Sequence, residues 1–231
     1  SAHANNRSQY GDIAEQQVYQ NIDVVLGGGL ESLTPGTSKN ARKDGEDLIK
    51  VLKDNQYDLV HTRDELFNSP SSKIWGSFAP SALAYDLDRA KTRKSEPTLA
   101  EMTNKAINTL KKDKDGFFLF VEGSKVDWAA HANDTIGIIS DILSFDDAVK
   151  EAVDFAKEDG NTLVIAVTDH GNSGITMGNT NTTSTYSSIP VSAYINPLKK
   201  ASMTVEGALS QLKEDRSNIV EVAALYGLDP L

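Results

Sequence analysis

The sequence predicts an α/β protein built on a mainly parallel sheet. Three observations carry that reading. Apolar runs of strand length alternate with stretches of helical periodicity. Two of the runs, FFLF and LVIAV, are apolar at every position, as strands buried on both faces are. Glycine-rich or charged turns punctuate the alternation.

In chain order, QYGDIAEQQVYQNI has the spacing of a helix, and the apolar residues before Gly27, Gly28 and Gly29 form a strand entering a tight turn. ARKDGEDLIKVLKDN predicts the next helix, YDLVHT a short strand, and Asp64 the start of another helix. Residues 67–94 have poor periodicity and many Ser and Pro residues, which predicts a long surface excursion. In PTLAEMTNKAINTLKKD, Pro97 suits a first helical turn, and Leu99, Met102, Ala106, Ile107 and Leu110 share one face. GFFLFVEG then predicts a fully buried strand. FDDAVKEAVDFAKEDG predicts a helix ending at Gly160, and NTLVIAVTDHG repeats the strand pattern. Beyond Gly178, a polar loop, NTNTTSTYSS, leads to a tail with the periodicity of two amphipathic helices, suited to an insertion or cap. The expected division is a core over 1–178 and a helical insertion over 179–231.

Composition narrows the function. With 23 basic and 33 acidic residues the net charge is −10, which repels nucleic-acid phosphates and anionic lipid. A small anionic substrate then needs a local cationic site, such as a metal. There is no cysteine, hence no disulfide and no thiolate ligand. No apolar run approaches the roughly 20 residues of a membrane span, and SAHANNRSQY has no signal-peptide hydrophobic region.

Chemistry concentrates where the two apolar runs end. In open α/β sheets, ligands collect outside the carboxyl ends of the strands. VEGSKVDWAAHAND puts Asp127 and His131 at i, i+4, on one helical face, where a carboxylate and an imidazole can share a metal. TDHG places Asp169 and His170 in a turn after a strand, and Glu122 at a strand tip offers a hard oxygen suited to magnesium. Each motif has a bland alternative: a surface Asp-His pair, a strand cap, a solvated loop carboxylate. Two of only four histidines with aspartate partners at strand ends favour a clustered divalent site. His61, outside every motif, is read as structural.

VEGSKVDWAAHAND, GNTLVIAVTDHGNSG and PTLAEMTNKAI resemble the metal-binding segments of the alkaline phosphatases, and AHANNR resembles the family segment whose arginine grips substrate phosphate. The resemblance implies a three-layer sandwich, incomplete here, with a helical C-terminal insertion. It implies two zinc sites, with Asp127 and His131 at one and Asp169 and His170 at the other, and a magnesium site with Glu122. Arg7 is implied as a bidentate phosphate clamp, which suits a planar guanidinium. His3 fits a supporting position, while Trp128 and Asn172 stand at variable positions, with roles in tuning or in packing. Phosphate monoesters and inorganic phosphate are the implied partners, and export to the periplasm, cell surface or medium the implied location.

The family's Asp-Ser-Ala nucleophile motif does not occur in these residues, nor does a late zinc histidine. The sequence is therefore expected to be a central fragment with incomplete metal sites, weak metal binding and no useful turnover. An open sheet edge is also expected, which a homodimer would cover. Two other readings stand beside this one: another metallo-hydrolase of the superfamily (phosphodiesterase, sulfatase or phosphomutase), or a non-catalytic binding domain that keeps the fold.

Overall fold

The sheet is organised around a strand that the sequence hides. The computed structural model describes residues 2–178 and 180–228, without the side chain at 181. Strands β1 (Val24–Gly27), β2 (Asp58–Val60) and β3 (Ile74–Ser77) form a parallel sheet in the order β1-β3-β2. β3 is central, with Ile74 opposite Val24 on one side and Asp58 on the other, and all four of its residues are buried. The expected excursion over 67–94 is thus corrected: it contains the central strand and a helix, α4 (Asp86–Thr92). KIWGS was illegible because the strand is only four residues long and Ser/Pro-rich turns on both sides dilute its pattern.

Side-chain alternation along β3 divides the surrounding core into two faces. Trp75 packs with Val18 of α1 (Tyr10–Tyr19) and with Leu48 and Leu52 of α2 (Leu48–Asp54). Ile74 packs with Leu66 of α3 (Arg63–Asn68) and Met102 of α5 (Leu99–Leu110). Helices on both faces of a parallel sheet make the three layers of the expected sandwich. α3 and α5 both open on capping boxes, Thr62 with Glu65 and Thr98 with Glu101, and Pro97 lies just outside its helix. The predicted turn after β1 forms, and Gly28 is required there: a Cβ would lie 1.9 Å from the carbonyl oxygen of Ser81. The predicted helix over residues 41–55 is confined to α2, where Asp47 caps the N-terminus.

Two predicted buried strands are not formed. Residues 117–121 and 163–167 run without regular structure, and Phe118, Phe120, Leu163, Ile165 and Val167 are 88%, 75%, 82%, 72% and 78% exposed. A strand is defined by its neighbour, and no backbone hydrogen bond joins either segment to another among the described residues.

The chain divides into two units. The sheet, α1–α3 and α5 lie in the first (Ser1–Ala84, Lys94–Val121, Lys150–Thr162). The second (Tyr85–Arg93, Glu122–Val149, Leu163–Leu231) holds α4, α6 (Lys125–His131), the start of α7 (Thr135–Asp159) and the C-terminal helices. α7 begins ten residues before the predicted FDDAV and ends at Gly160, whose φ is +74°. Among the described residues the polar loop holds one helical turn, α8 (Thr180–Thr183), and the tail beyond it holds three short helices rather than two: α9 (Ser192–Leu198), α10 (Val205–Leu209) and α11 (Ile219–Leu225).

Buried carboxylates tie the second unit together. Asp134 accepts from the backbone N–H of Gly137 (3.0 Å) and of Val205 (2.7 Å) and from the hydroxyl of Tyr226 (3.0 Å). Asp88 accepts from the backbone N–H and the hydroxyl of Thr204, which itself caps α10. Asp141 accepts from the N–H of Asp86 with one oxygen, while the other is buried with no partner among the described residues. Burial, with the charges of Asp86 and Asp88 adding to it, pushes the Asp141 carboxyl up from 3.8 to about 7.

Replacing Asp134 by Ala strands three donors, at about 1–3 kcal/mol each; we expect Asp134→Ala to lose about 3 kcal/mol or more in urea unfolding followed by circular dichroism. For Asp141, the folded state holds its proton more tightly than the unfolded state. Its destabilising effect is therefore absent below pH 4, grows as pH rises, and is complete above pH 7, at about 4 kcal/mol. Asp141→Asn should accordingly be much more stable than the parent at pH 8 and match it at pH 4, as read by unfolding midpoints at both pH values.

Candidate metal centre

The site begins with a short helix whose ends are held by the backbone. α6 starts where the N–H of Val126 meets the carbonyl of Gly123, and closes where that of Asp134 meets Ala129. Ala129 and Ala130 are buried, so the opposite face of the helix turns outward with Asp127 and His131. Their i, i+4 spacing brings His131 Nε2 to 3.5 Å from Asp127 Oδ1. Lys125 lies over the rings of Trp128, at 3.9 Å, and Tyr85, at 4.4 Å.

A second segment arrives from far along the chain. Asn172 donates through Nδ2 to Asp127 Oδ1 at 2.8 Å, and Asn133, in the left-handed conformation after α6, accepts from the N–H of Gly174. These two asparagines dock residues 169–174 on the helix, leaving His170 Nε2 at 3.9 Å from the same Asp127 oxygen. Asp169 Oδ2 lies 3.3 Å from His170 Nε2 and is largely exposed. Asp127 is thus approached by imidazoles from two segments.

Two ligands of a tetrahedral zinc with bonds of about 2.1 Å stand roughly 3.4 Å apart; the pairwise separations here are 3.5, 3.9 and 3.3 Å, so each pair has the spacing of two zinc ligands, while no three of these donors lie within 4.8 Å of one another. Glu122 is exposed, and no contact joins it to these four among the described residues. Arg7 is exposed in the lead into α1, in the first unit, where the backbone of His3 is anchored to Gln16. His61 directs Nδ1 to the carbonyl of Ser77 at the end of β3, in keeping with a structural role.

Among the described residues, Glu15, Asp44 and Glu46 form the one trio of donors within 4.8 Å of each other. The buried guanidinium of Arg42 already fills that trio, pairing with all three carboxylates and with the carbonyl of Gly11. It is an ion-pair hub.

The alkaline phosphatase family model matches residues 1–224. The chain belongs to the alkaline phosphatase family. Alkaline phosphatase 3 of Bacillus subtilis (strain 168) is 45% identical over 157 residues, 68% of this chain and 32% of that protein. The alkaline phosphatase of Escherichia coli (strain K12) is 34% identical over 69% of this chain and 39% of its own length. The crystal structure of Thermus thermophilus alkaline phosphatase superposes with a TM-score of 0.82 at 29% identity, covering 95% of this chain and 45% of that one. The chain therefore spans about a third of the length of the curated relatives it matches. No helix among the described residues is long and apolar enough to cross a membrane.

In this alkaline phosphatase family chain the spacing of the ligand candidates is legible in the sequence, whereas the docking role of Asn172 and Asn133 is not: Asn172 has an open role there, and Asn133 has no signal beyond its place after a helix. Zinc calorimetry tests the arrangement: His131→Ala and His170→Ala should each weaken binding at least tenfold, and Asn172→Ala, which only orients Asp127, about tenfold. Unchanged affinity in both histidine variants would exclude the site.

Proposed function

We propose that the chain supplies the metal-holding part of a phosphomonoesterase. The observation that carries the reading is the convergence of His131 and His170, from separate segments, on Asp127. In this reading Asp127 and His131 hold one zinc ion, Asp169 and His170 a second, and Glu122 contributes to a magnesium site. Bound zinc would supply Lewis acidity at the phosphoryl oxygens. The carboxylates orient the imidazoles and balance the cationic charge, and Asn172 keeps Asp127 turned toward both histidines. Arg7 serves in this reading as a phosphate clamp, a role that suits a bidentate guanidinium.

The substrates are phosphate monoesters, with inorganic phosphate as product, and the net charge of −10 supports neither nucleic acid nor anionic membrane as a partner. The nucleophile comes from outside these 231 residues, which hold no Asp-Ser-Ala motif. Membership in the family supports a place of action outside the cytoplasm.

A chromogenic phosphate monoester, offered to the purified chain with zinc and magnesium, should be hydrolysed no faster than in buffer with the metals alone. Turnover that survives removal of host phosphatases would overturn the external nucleophile. Inorganic phosphate should bind the zinc-loaded chain and bind less tightly to Arg7→Ala; no phosphate binding with zinc present would overturn the phosphatase reading itself.

A further inference from the structure

The end of the chain folds into a small core of its own. Met203, Ala208 and Val222 are buried together, with Leu212, Leu225 and Tyr226 packed against them. The segment closes on itself where the backbone N–H groups of Ser202 and Met203 meet the carbonyl of Leu225, at 2.8 and 3.1 Å. Tyr226 follows directly after α11, and its hydroxyl leaves this core for Asp134, 92 residues earlier in the chain. Packing alone does not call for that hydroxyl. A Phe ring fills the same space, and the Asp134 carboxylate already accepts from the N–H groups of Gly137 and Val205. Burial, with the charge of Asp134 adding to it, pushes the Tyr226 phenol up to about 12. The group stays protonated across the neutral range and is a permanent donor to a carboxylate that is 1% exposed.

Asp134 is also the point from which both ligand-bearing segments hang. Its backbone N–H ends α6 on the carbonyl of Ala129 at 2.9 Å, and Ala129 is fully buried. Its predecessor, Asn133, has a φ of +51° and accepts from the N–H of Gly174, in the segment that carries Asp169 and His170. Gly137 closes the junction from the other side: a Cβ there would lie 3.0 Å from both the Ala129 Cβ and an Asp134 carboxylate oxygen. A junction packed this closely leaves Asp134 little room to turn without moving α6. We propose that Tyr226 is a positioning residue of the metal centre: by holding the Asp134 carboxylate it sets the end of α6, and with it the separation of Asp127 from His131 and the seat of residues 169–174. Its effect on zinc rests on the metal-binding reading, while the mechanical link needs no metal. The helical tail is then part of the support of the metal centre and not a cap alone.

Two measurements on the 231-residue chain test this, one without metal and one with it. In the metal-free chain, the imidazole proton resonances of the four histidines are followed by NMR. Tyr226→Phe should shift those of His131 and His170 and leave that of His61, in the first unit, in place. In calorimetry the same variant should bind zinc about fivefold more weakly, and its cobalt-loaded form should show an altered visible spectrum, because the ligand angles change. Val222→Ala is the control. It hollows the same small core without removing a bond to Asp134, so it should lower the melting temperature and leave the His131 resonance and the cobalt spectrum in place. An unmoved His131 resonance in Tyr226→Phe would overturn the proposal, as would unchanged zinc affinity beside a parent that binds zinc. The same shifts in Val222→Ala would also overturn it, by making the tail a source of stability only. A parent chain that binds neither zinc nor cobalt would overturn the metal reading, and the metal-free resonances alone would then decide whether Tyr226 sets the helix.

Discussion

The hydrogen-bond ladder through β3 is the constraint on which the first unit rests. A backbone taken out of water must pair every N–H and C=O, and β3 does so with a parallel neighbour on each side. Only then can Ile74 and Trp75 be buried on opposite faces, and only then do α1 and α2 on one side and α3 and α5 on the other find apolar surface to cover. The same constraint bears on residues 117–121 and 163–167, which are at least as apolar as β3 yet leave Phe118, Phe120, Leu163, Ile165 and Val167 exposed, with no strand paired to them among the described residues.

The second unit has no sheet among its described residues and is held differently. Asp134, just ahead of α7, and Asp88, in α4, reach toward α10 and α11, meeting backbone N–H groups and hydroxyls that would otherwise be buried unpaired. Asp134 also lies three residues beyond α6 and donates its backbone N–H to the carbonyl of Ala129, so the residue that secures the tail fixes the end of the helix carrying Asp127 and His131. His131, Asp169 and His170 are exposed and Asp127 is half-buried, while Asp134 nearby is buried and hydrogen-bonded. Precision at the site depends on groups that contact no ligand.

What could be read in the sequence was local. The i, i+4 pair of Asp127 and His131, the helical face of α5 and the turn at Gly28 are each set within a few residues, and each formed. What could not be read depends on distant partners. β3 is a strand because β1 and β2 flank it, and Arg42 is buried because Glu15, Asp44 and Glu46 converge on it. FFLF and LVIAV show the converse: local propensity was strand-like, but the state of a strand is decided by what lies beside it. The docking of Asn172 on Asp127, 45 residues away, was beyond any local pattern for the same reason.

The chain's two tryptophans divide its units between them. Trp75 is buried in the first, with the Tyr57 ring edge-on at 6.1 Å, while Trp128 is half-exposed in the second, under the ammonium of Lys125 and on the helix that carries Asp127 and His131. Emission from Trp75 is shielded from water and reports the integrity of the sheet. Emission from Trp128 lies at longer wavelength and is open to soluble quenchers, so the molecule carries two separable optical signals, one for its scaffold and one for the helix that carries Asp127 and His131.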